Sequence, residues 1–207
     1  MKKRIVKKPD VRRLEIILAA QQLFEKNGYT KTSVESIIAE AGIAKGTFYY
    51  YFKAKQDILR ALIEHMGSEM ESIFNGVAEH PDLTATQKLK KILRGPEKSK
   101  ISSSPIMNIL HKPENRELQE QLNIQSINVL APLIATILAQ GKKEGIFTNT
   151  ISVECVQLIL AGSQFVLDSG LFSWSAQKRK VFLKTMAEML ERLGGAKSGS
   201  LRFIANL

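Results

Sequence analysis

Residues 34–52 read VESIIAEAGIAKGTFYYYF, and they carry the clearest structural pattern in the chain. Apolar residues three and four positions apart predict a short helix as far as Ala41. Gly42 ends that helix, and a second short helix follows from about Ala44 to Tyr51. Two short helices joined by a tight turn are typical of a helix-turn-helix, whose second helix enters the major groove of double-stranded DNA.

The second of these helices has an apolar face and a polar face. Phe48 and Phe52 lie four positions apart and are predicted to pack inward. The residues left facing outward can donate hydrogen bonds to phosphates and base edges, and they are Lys45, Gly46, Thr47, Tyr49, Tyr50 and Tyr51. A packed aromatic cluster is the alternative for the three tyrosines. The inward positions of the two phenylalanines favour DNA for Tyr49 and Tyr50, and leave Tyr51 open.

The segments on either side of this stretch also repeat apolar residues at helical spacing. A first helix is expected to start with Asp10 as its cap and to stop at Gly28. The pattern Thr32-x-x-Glu35 is interpreted as a capping box that opens the second helix. With a long fourth helix over about residues 55–79 and no convincing strand pattern, we predict an all-α fold of about nine helices.

The chain of 207 residues carries a formal net charge of +10, and most of the excess lies near its start. Residues 1–55 contain 12 lysines and arginines against 5 acidic residues. Such a concentration of positive charge favours a polyanionic partner such as nucleic acid. Residues 1–9 are predicted to form a disordered basic arm.

Several classes of function find no support in the sequence. The single cysteine, Cys155, cannot form an internal disulfide, so we expect a reducing cytoplasm. No stretch approaches about 18 uninterrupted apolar residues, which argues against a membrane protein. The histidines lack metal-ligand spacing, and no phosphate-binding loop, dinucleotide fingerprint or Ser/His/Asp set is present. We therefore expect no metal, no cofactor and no catalytic residue.

The segment around the helix-turn-helix resembles the tetracycline-repressor (TetR) family of bacterial regulators. The residues that carry the resemblance are Phe24, Gly28, Tyr29, Thr32, Ser33 and Ile37, the continuous run from Ala41 to Lys53, and Lys55. The resemblance implies a three-helix DNA-binding domain in residues 10–54 and a long connecting helix. It also implies a helical ligand-binding and dimerisation domain in residues 55–193. The Gly- and Ser-containing residues 194–207 are predicted to form a C-terminal tail.

The resemblance also assigns roles to individual positions. Thr32 and Ser33 would hold phosphates at the entry of the second helix, and Lys55 matches a phosphate-binding lysine of the family. Ala44 and Ala54 stand where the family often has a capping residue. Because a lost cap typically costs about 1 kcal/mol, we expect softer helix starts at these two positions.

The larger domain is expected to hold a ligand pocket and a dimer interface. Soft and aromatic side chains suit an apolar or amphipathic ligand, although an ordinary filled core explains them equally well; the candidates are Met66, Met70, Phe74, Met107, Ile127, Phe165 and Trp174. The last two helices offer small residues and an apolar stripe for a two-fold four-helix interface, for which the candidates are Ala161, Gly162, Phe182, Met186, Met189 and Leu190.

These expectations combine into a sequence-specific transcriptional regulator that works as a cytoplasmic homodimer. The default mechanism is a repressor that leaves a palindromic operator when an unidentified small-molecule effector binds the larger domain. The alternative is a helical lipid or small-molecule carrier, or an enzyme, on the same scaffold. A carrier would not need an exposed Lys-Gly-Thr-x-Tyr-Tyr helix, and an enzyme would need a polar catalytic cluster.

Overall fold

The computed structural model describes residues 8–95, 109–110, 115–167 and 172–206. These ranges contain eight α-helices of at least seven residues and one 3₁₀ helix, and they contain no strand. The helices are α1 (Pro9–Asn27), α2 (Val34–Glu40), α3 (Lys45–Tyr51), α4 (Lys55–Glu79), α5 (Ala85–Arg94), α6 (Arg116–Lys143), α7 (Val153–Leu167) and α8 (Ala176–Gly194), followed by the 3₁₀ helix Arg202–Asn206. The all-helical prediction is confirmed. Residues 1–7 of the predicted basic arm lie outside the described residues.

The described chain divides into two compact units. The first comprises residues 8–68 together with 109–110 and 115–118, and the second comprises the remaining described residues. Residues 55–68 of α4 belong to the first unit and residues 69–79 to the second. The predicted boundary between residues 54 and 55 lies at the start of α4, whereas this division falls inside the same helix, after residue 68.

Two helix starts differ from the sequence-based expectation. Helix α1 begins at Pro9, which needs no N–H in the first turn, and Asp10 lies inside that turn without capping the helix. Helix α2 is capped by Ser33, whose side chain accepts from the N–H of Ser36 while the Ser36 side chain accepts from the N–H of Ser33. The expected Thr32-x-x-Glu35 box is wrong by one position, because the Thr32 side chain is buried elsewhere.

The core of the first unit joins α1, α2, α3 and the start of α4. Its largest fully buried side chains are Ile16, Ile17, Phe24, Ile37, Phe48, Ile58, Leu59 and Leu62, with Leu110 buried in the same unit. Phe48 packs on Phe52 with ring centroids 6.2 Å apart, and Phe52 is 3% exposed. The predicted inward face of α3 is thereby confirmed.

The core of the second unit includes the residues that follow α8. Leu201 and Ile204 are each 1% exposed and belong to the same apolar cluster as Phe147. The buried carboxylate of Glu191 accepts hydrogen bonds from the N–H groups of Gly199 and Leu201, at 3.0 and 2.6 Å. The segment expected to be a simple tail is therefore folded onto its own unit through residue 206.

Helix α6 is the described helix that is long and apolar enough to cross a membrane by length and composition alone. Four of its apolar side chains, Ala131, Ile134, Ile137 and Leu138, are buried in the core of the second unit. A core helix of a water-soluble protein satisfies the same criteria, so this helix is weak support for a membrane role.

Candidate nucleic-acid interface and ligand cavity

The turn between α2 and α3 is built around Gly42. Its φ of +61° lies in the left-handed region, where a side chain would be strained, and the chain re-enters helix three residues later. Ala44 caps α3 without any side-chain hydrogen bond, as expected from its type. Two short helices joined at a glycine form the helix-turn-helix that the sequence predicted. We call α2, the turn at Gly42 and α3 the elbow.

Helix α3 presents its polar face away from the core. Tyr50 is 77% exposed and Tyr49 47% exposed, whereas Tyr51 is half-buried against the edge of the Tyr50 ring, 4.9 Å away. Lys45 is exposed, with its ammonium 6.0 Å from the centre of the Tyr49 ring. A side chain added at Gly46 would meet nothing within 4 Å, so this position is open to close approach by another molecule. Thr47 is half-buried.

The two residues that precede α2 differ in their surroundings. Ser33 is exposed and uses its hydroxyl in the cap of α2. Thr32 is 2% exposed, and its hydroxyl lies 2.8 Å from the carbonyl oxygen of Gly28 and 3.3 Å from that of Leu23. The Thr32 side chain therefore donates to carbonyl oxygens at the C-terminal end of α1 and does not face solvent.

Lys55, the first residue of α4, folds back over the connector between α1 and α2. Its ammonium donates to the carbonyl oxygens of Tyr29 at 2.7 Å and Thr32 at 2.8 Å, and lies 3.5 Å from that of Thr30. The same nitrogen is 4.3 Å from the centre of the Tyr29 ring. Burial lowers the pKa of Lys55 and raises the pKa of the Tyr29 phenol.

The start of α4 has a cap that the sequence reasoning missed. One oxygen of Asp57 accepts from the N–H groups of Lys53 and Ala54, at 2.9 and 3.0 Å. The acid three residues into a helix can bond back to the N-cap N–H even where the N-cap itself is alanine. The Ala54-x-x-Asp57 spacing was the available signal.

The predicted pocket residues are distributed over both units. Met66 is buried in the first unit, Phe74 is buried in the second, and Met70 packs against that second core. Ile127 is half-buried, and Trp174 forms an aromatic row with Phe172 and Phe182. Phe165 is 59% exposed, and Met107 lies outside the described residues. This set stays a prediction.

A cavity of about 690 Å³ lies within the second unit, lined by α5, α6, α7, α8 and the 3₁₀ helix. Most of its walls are aliphatic, including Leu89, Leu160 and Leu183. Among the predicted pocket residues that the structure describes, none lines it. Two exposed cations on the first turns of α8, Arg179 and Lys180, also line it. A volume of this size is in the range of small-molecule sites, roughly 300–1,000 Å³. The cavity can therefore accept a molecule with an apolar body and an anionic end.

Helices α7 and α8 also expose an apolar surface. Leu158 is 74% exposed, and Met189 and Leu193 are 43% and 45% exposed. Among the predicted interface residues, Ala161 and Gly162 are exposed and Phe182 is half-buried. Met186 and Leu190 line the cavity, so they face the interior of their own unit at least in part. Sequence reasoning did not select Leu158, because a single leucine on an apolar helix gives no sign of its exposure.

Two family models match the chain. The model described as "Bacterial regulatory proteins, tetR family" matches residues 16–62, which include α2 and α3. The model described as "Tetracyclin repressor-like, C-terminal domain" matches residues 100–189. Together they account for about two thirds of the 207 residues.

Known proteins with similar sequences or folds are transcriptional regulators. The fatty acid metabolism regulator protein of Bacillus subtilis is 27% identical over 185 residues, spanning 87% of this chain and 92% of its own length. The structure of RolR in complex with resorcinol has a TM-score of 0.60 at 20% identity, covering 95% of this chain and 93% of its own. A TetR/AcrR-family regulator from Thermobifida fusca has a TM-score of 0.58 at 20% identity, with 95% and 97% covered.

The sequence match and the structural likeness agree with the geometry of the helix-turn-helix. At 20% identity the two structures establish the fold alone, whereas the two family models identify the lineage. This chain belongs to the tetR family of bacterial regulatory proteins and is a DNA-binding transcriptional regulator, not an enzyme.

Proposed function

We propose that this regulator is a repressor that binds a palindromic operator as a homodimer and leaves it when an anionic amphipathic ligand occupies the second unit. The DNA-binding part of this proposal rests on the exposed face of α3. Lys45, Tyr49 and Tyr50 lie there beside Gly46, where an added side chain would meet nothing within 4 Å. Because the target is operator DNA, we place the protein in the bacterial cytoplasm, with no membrane partner.

The proposed DNA contacts are the exposed members of the predicted set together with the half-buried Thr47. Lys45 and the Ser33 hydroxyl suit phosphate oxygens, while Thr47, Tyr49 and Tyr50 suit base edges and sugar. Tyr51 is half-buried and supports the ring of Tyr50. In a symmetric dimer, two α3 helices must lie about 34 Å apart to enter successive major grooves, so the operator should be a palindrome.

The homodimer is proposed to form through the exposed surface of α7 and α8. Leu158, Met189 and Leu193 are more exposed there than apolar side chains in contact with a core would be. A side chain added at Gly162 would meet nothing within 4 Å, which leaves room for a partner helix to approach. An isologous four-helix contact would bury these groups against their symmetry mates.

The ligand is proposed to bind in the cavity of the second unit. Aliphatic walls favour a hydrocarbon chain, and Arg179 and Lys180 favour a carboxylate or phosphate at its end. The relative from Bacillus subtilis is named a fatty acid metabolism regulator, which agrees with a fatty acid or a fatty acyl thioester as the effector. The ligand changes DNA affinity only to the extent that it prefers one of the two states of the regulator.

The DNA-binding half is tested by selecting binding sites from random duplex DNA and titrating the selected duplex by fluorescence anisotropy. We expect one palindrome to be enriched, and Tyr50→Ala to bind it about 5- to 100-fold more weakly, in line with the loss of one good contact. Unspecific, purely salt-dependent binding with no enriched sequence would refute the proposal.

The ligand half is tested on the same complex with fatty acids, their coenzyme A thioesters and fatty alcohols of matched chain length. The anionic molecules should release the DNA, and the alcohols should do so weakly. The double variant Arg179→Ala/Lys180→Ala should require a higher ligand concentration, whereas Lys184→Ala, an exposed cation of α8 outside the cavity lining, should behave as the unmodified protein. Equal release by acids and alcohols would exclude the role of the two cations.

A further inference from the structure

The cavity of the second unit extends along most of helix α8. The residues of α8 that line it run from Ala176 to Leu190, and those of α7 run from Val156 to Leu167. At a rise of about 1.5 Å per residue, the lining stretch of α8 is about 21 Å long. The cavity is therefore elongated, a shape that suits an extended hydrocarbon chain.

The two ends of the cavity differ in exposure. At the start of α8, the lining residues Ala176, Arg179 and Lys180 are exposed. Near the end of α8, the lining residue Leu190 is half-buried. Leu201 lines the cavity from the C-terminal segment and is 1% exposed. The cavity therefore opens beside the two cations and is closed at its other end.

The closed end depends on the C-terminal segment. The N–H of Leu201 donates to the Glu191 carboxylate at 2.6 Å, which holds Leu201 beside the last turns of α8. The 3₁₀ helix Arg202–Asn206 follows and packs against α8 and α5, so it covers the cavity from the side. We call Leu190 and Leu201 together the cavity floor.

The spacing between the cations and the cavity floor defines a length. Leu190 follows Lys180 by ten residues, which corresponds to about 15 Å along the helix. With carbon–carbon bonds of about 1.5 Å that meet at about 111°, an extended chain advances about 1.25 Å per carbon. A chain of about 12 carbons therefore reaches from the cations to the floor.

We propose that the cavity floor selects the ligand by the length of its hydrocarbon chain, an inference that rests on the anionic amphipathic ligand proposed above. The carboxylate binds Arg179 and Lys180, and the methyl end of the chain meets Leu190 and Leu201. A chain longer than about 12 carbons must displace the C-terminal segment from the core or leave carbons in water at the open end. Leu201 is thus a specificity-determining residue supplied from outside the helices.

The test is a titration of the full chain with saturated fatty acids, followed by calorimetry without DNA. The series runs from octanoic to hexadecanoic acid, and each acid is kept below the concentration at which it forms micelles. Each carbon added below the limit should tighten binding about fourfold, the gain from burying one CH₂ group. Beyond dodecanoic acid the affinity should stop rising, because the additional carbons find no space inside the cavity.

Two substitutions at the floor should move this limit in opposite directions. Leu201→Ala leaves space at the closed end, so the limit should rise by about two carbons, to tetradecanoic acid. Leu190→Phe fills that space, so the limit should fall to decanoic acid. Leu183→Ala is the matched control, because Leu183 lines the same cavity midway between the cations and the floor. It should weaken all the acids alike and leave the limit at dodecanoic acid.

The outcomes separate this inference from the ligand proposal. Affinity that rises without a limit through hexadecanoic acid would overturn the role of the floor, and so would a limit that stays unchanged in both floor variants. A limit that Leu183→Ala moves equally would do the same. If no acid of the series binds, the ligand proposal fails together with this inference. Circular dichroism shows whether each variant folds, and Leu190→Phe alone decides the matter if Leu201→Ala does not.

Discussion

Replacing Glu191 by alanine should release the C-terminal segment from the second unit and open the ligand cavity. The carboxylate is 5% exposed and accepts from two backbone N–H groups, those of Gly199 and Leu201. Leu201 and Ile204 line the cavity, together with Asn206 at the end of the described chain. Removal of the acceptor leaves the two donors unpaired or forces the segment into water.

The expected loss of stability follows from these two outcomes. Each unpaired buried donor costs about 1–3 kcal/mol. Releasing the segment exposes Leu201 and Ile204, each worth about 1.5–3 kcal/mol of burial, and part of this is returned as chain entropy. The variant will adopt whichever of the two outcomes costs less free energy. We therefore expect the free energy of unfolding of the second unit to fall by about 2–4 kcal/mol.

Urea unfolding followed by the fluorescence of Trp174, the single tryptophan, reports on this unit. The midpoint should fall in Glu191→Ala, and the affinity for the ligand that releases the operator should fall with it. Glu188→Ala is the control, because the Glu188 carboxylate makes a partly exposed ion pair with Lys184 at 3.7 Å, worth about 0–1 kcal/mol. Equal midpoints for the two variants would refute the role given to Glu191.

Three further substitutions test the elbow and the exposed apolar surface. Phe48→Ala empties a fully buried site and should destabilise the first unit by about 3–5 kcal/mol in a thermal melt, with loss of operator binding; an unchanged melt would contradict the packing of α3. Gly42→Ala places a side chain at a φ of +61° with open space around it, so we expect a loss of about 1–2 kcal/mol from backbone strain alone, measured by the same melt. Leu158→Lys puts a charge on the exposed surface of α7 and should shift the protein from dimer to monomer in light scattering; a persistent dimer would place the interface elsewhere.

Much of the helix-turn-helix could be predicted because its signals are local. Gly42 breaks a helical pattern within a few residues, and the four-residue spacing of Phe48 and Phe52 assigns the inward face of α3. The exposure of Tyr49 and Tyr50 follows from that assignment. The family resemblance adds the partner, because it implies that these same residues contact DNA.

The all-helical fold, the helix-turn-helix and the exposed face of α3 could thus be predicted from sequence, because helix periodicity and glycine turns act between near neighbours. The position of the Lys55 side chain depends on tertiary structure, since its acceptors on Tyr29 and Thr32 lie twenty-six and twenty-three positions away. Tertiary structure also decided the cavity, whose walls come from five separate elements. The Gly- and Ser-containing end predicted a tail, but the buried acceptor Glu191 makes a folded segment of it, since unpaired backbone donors next to an apolar core are costly.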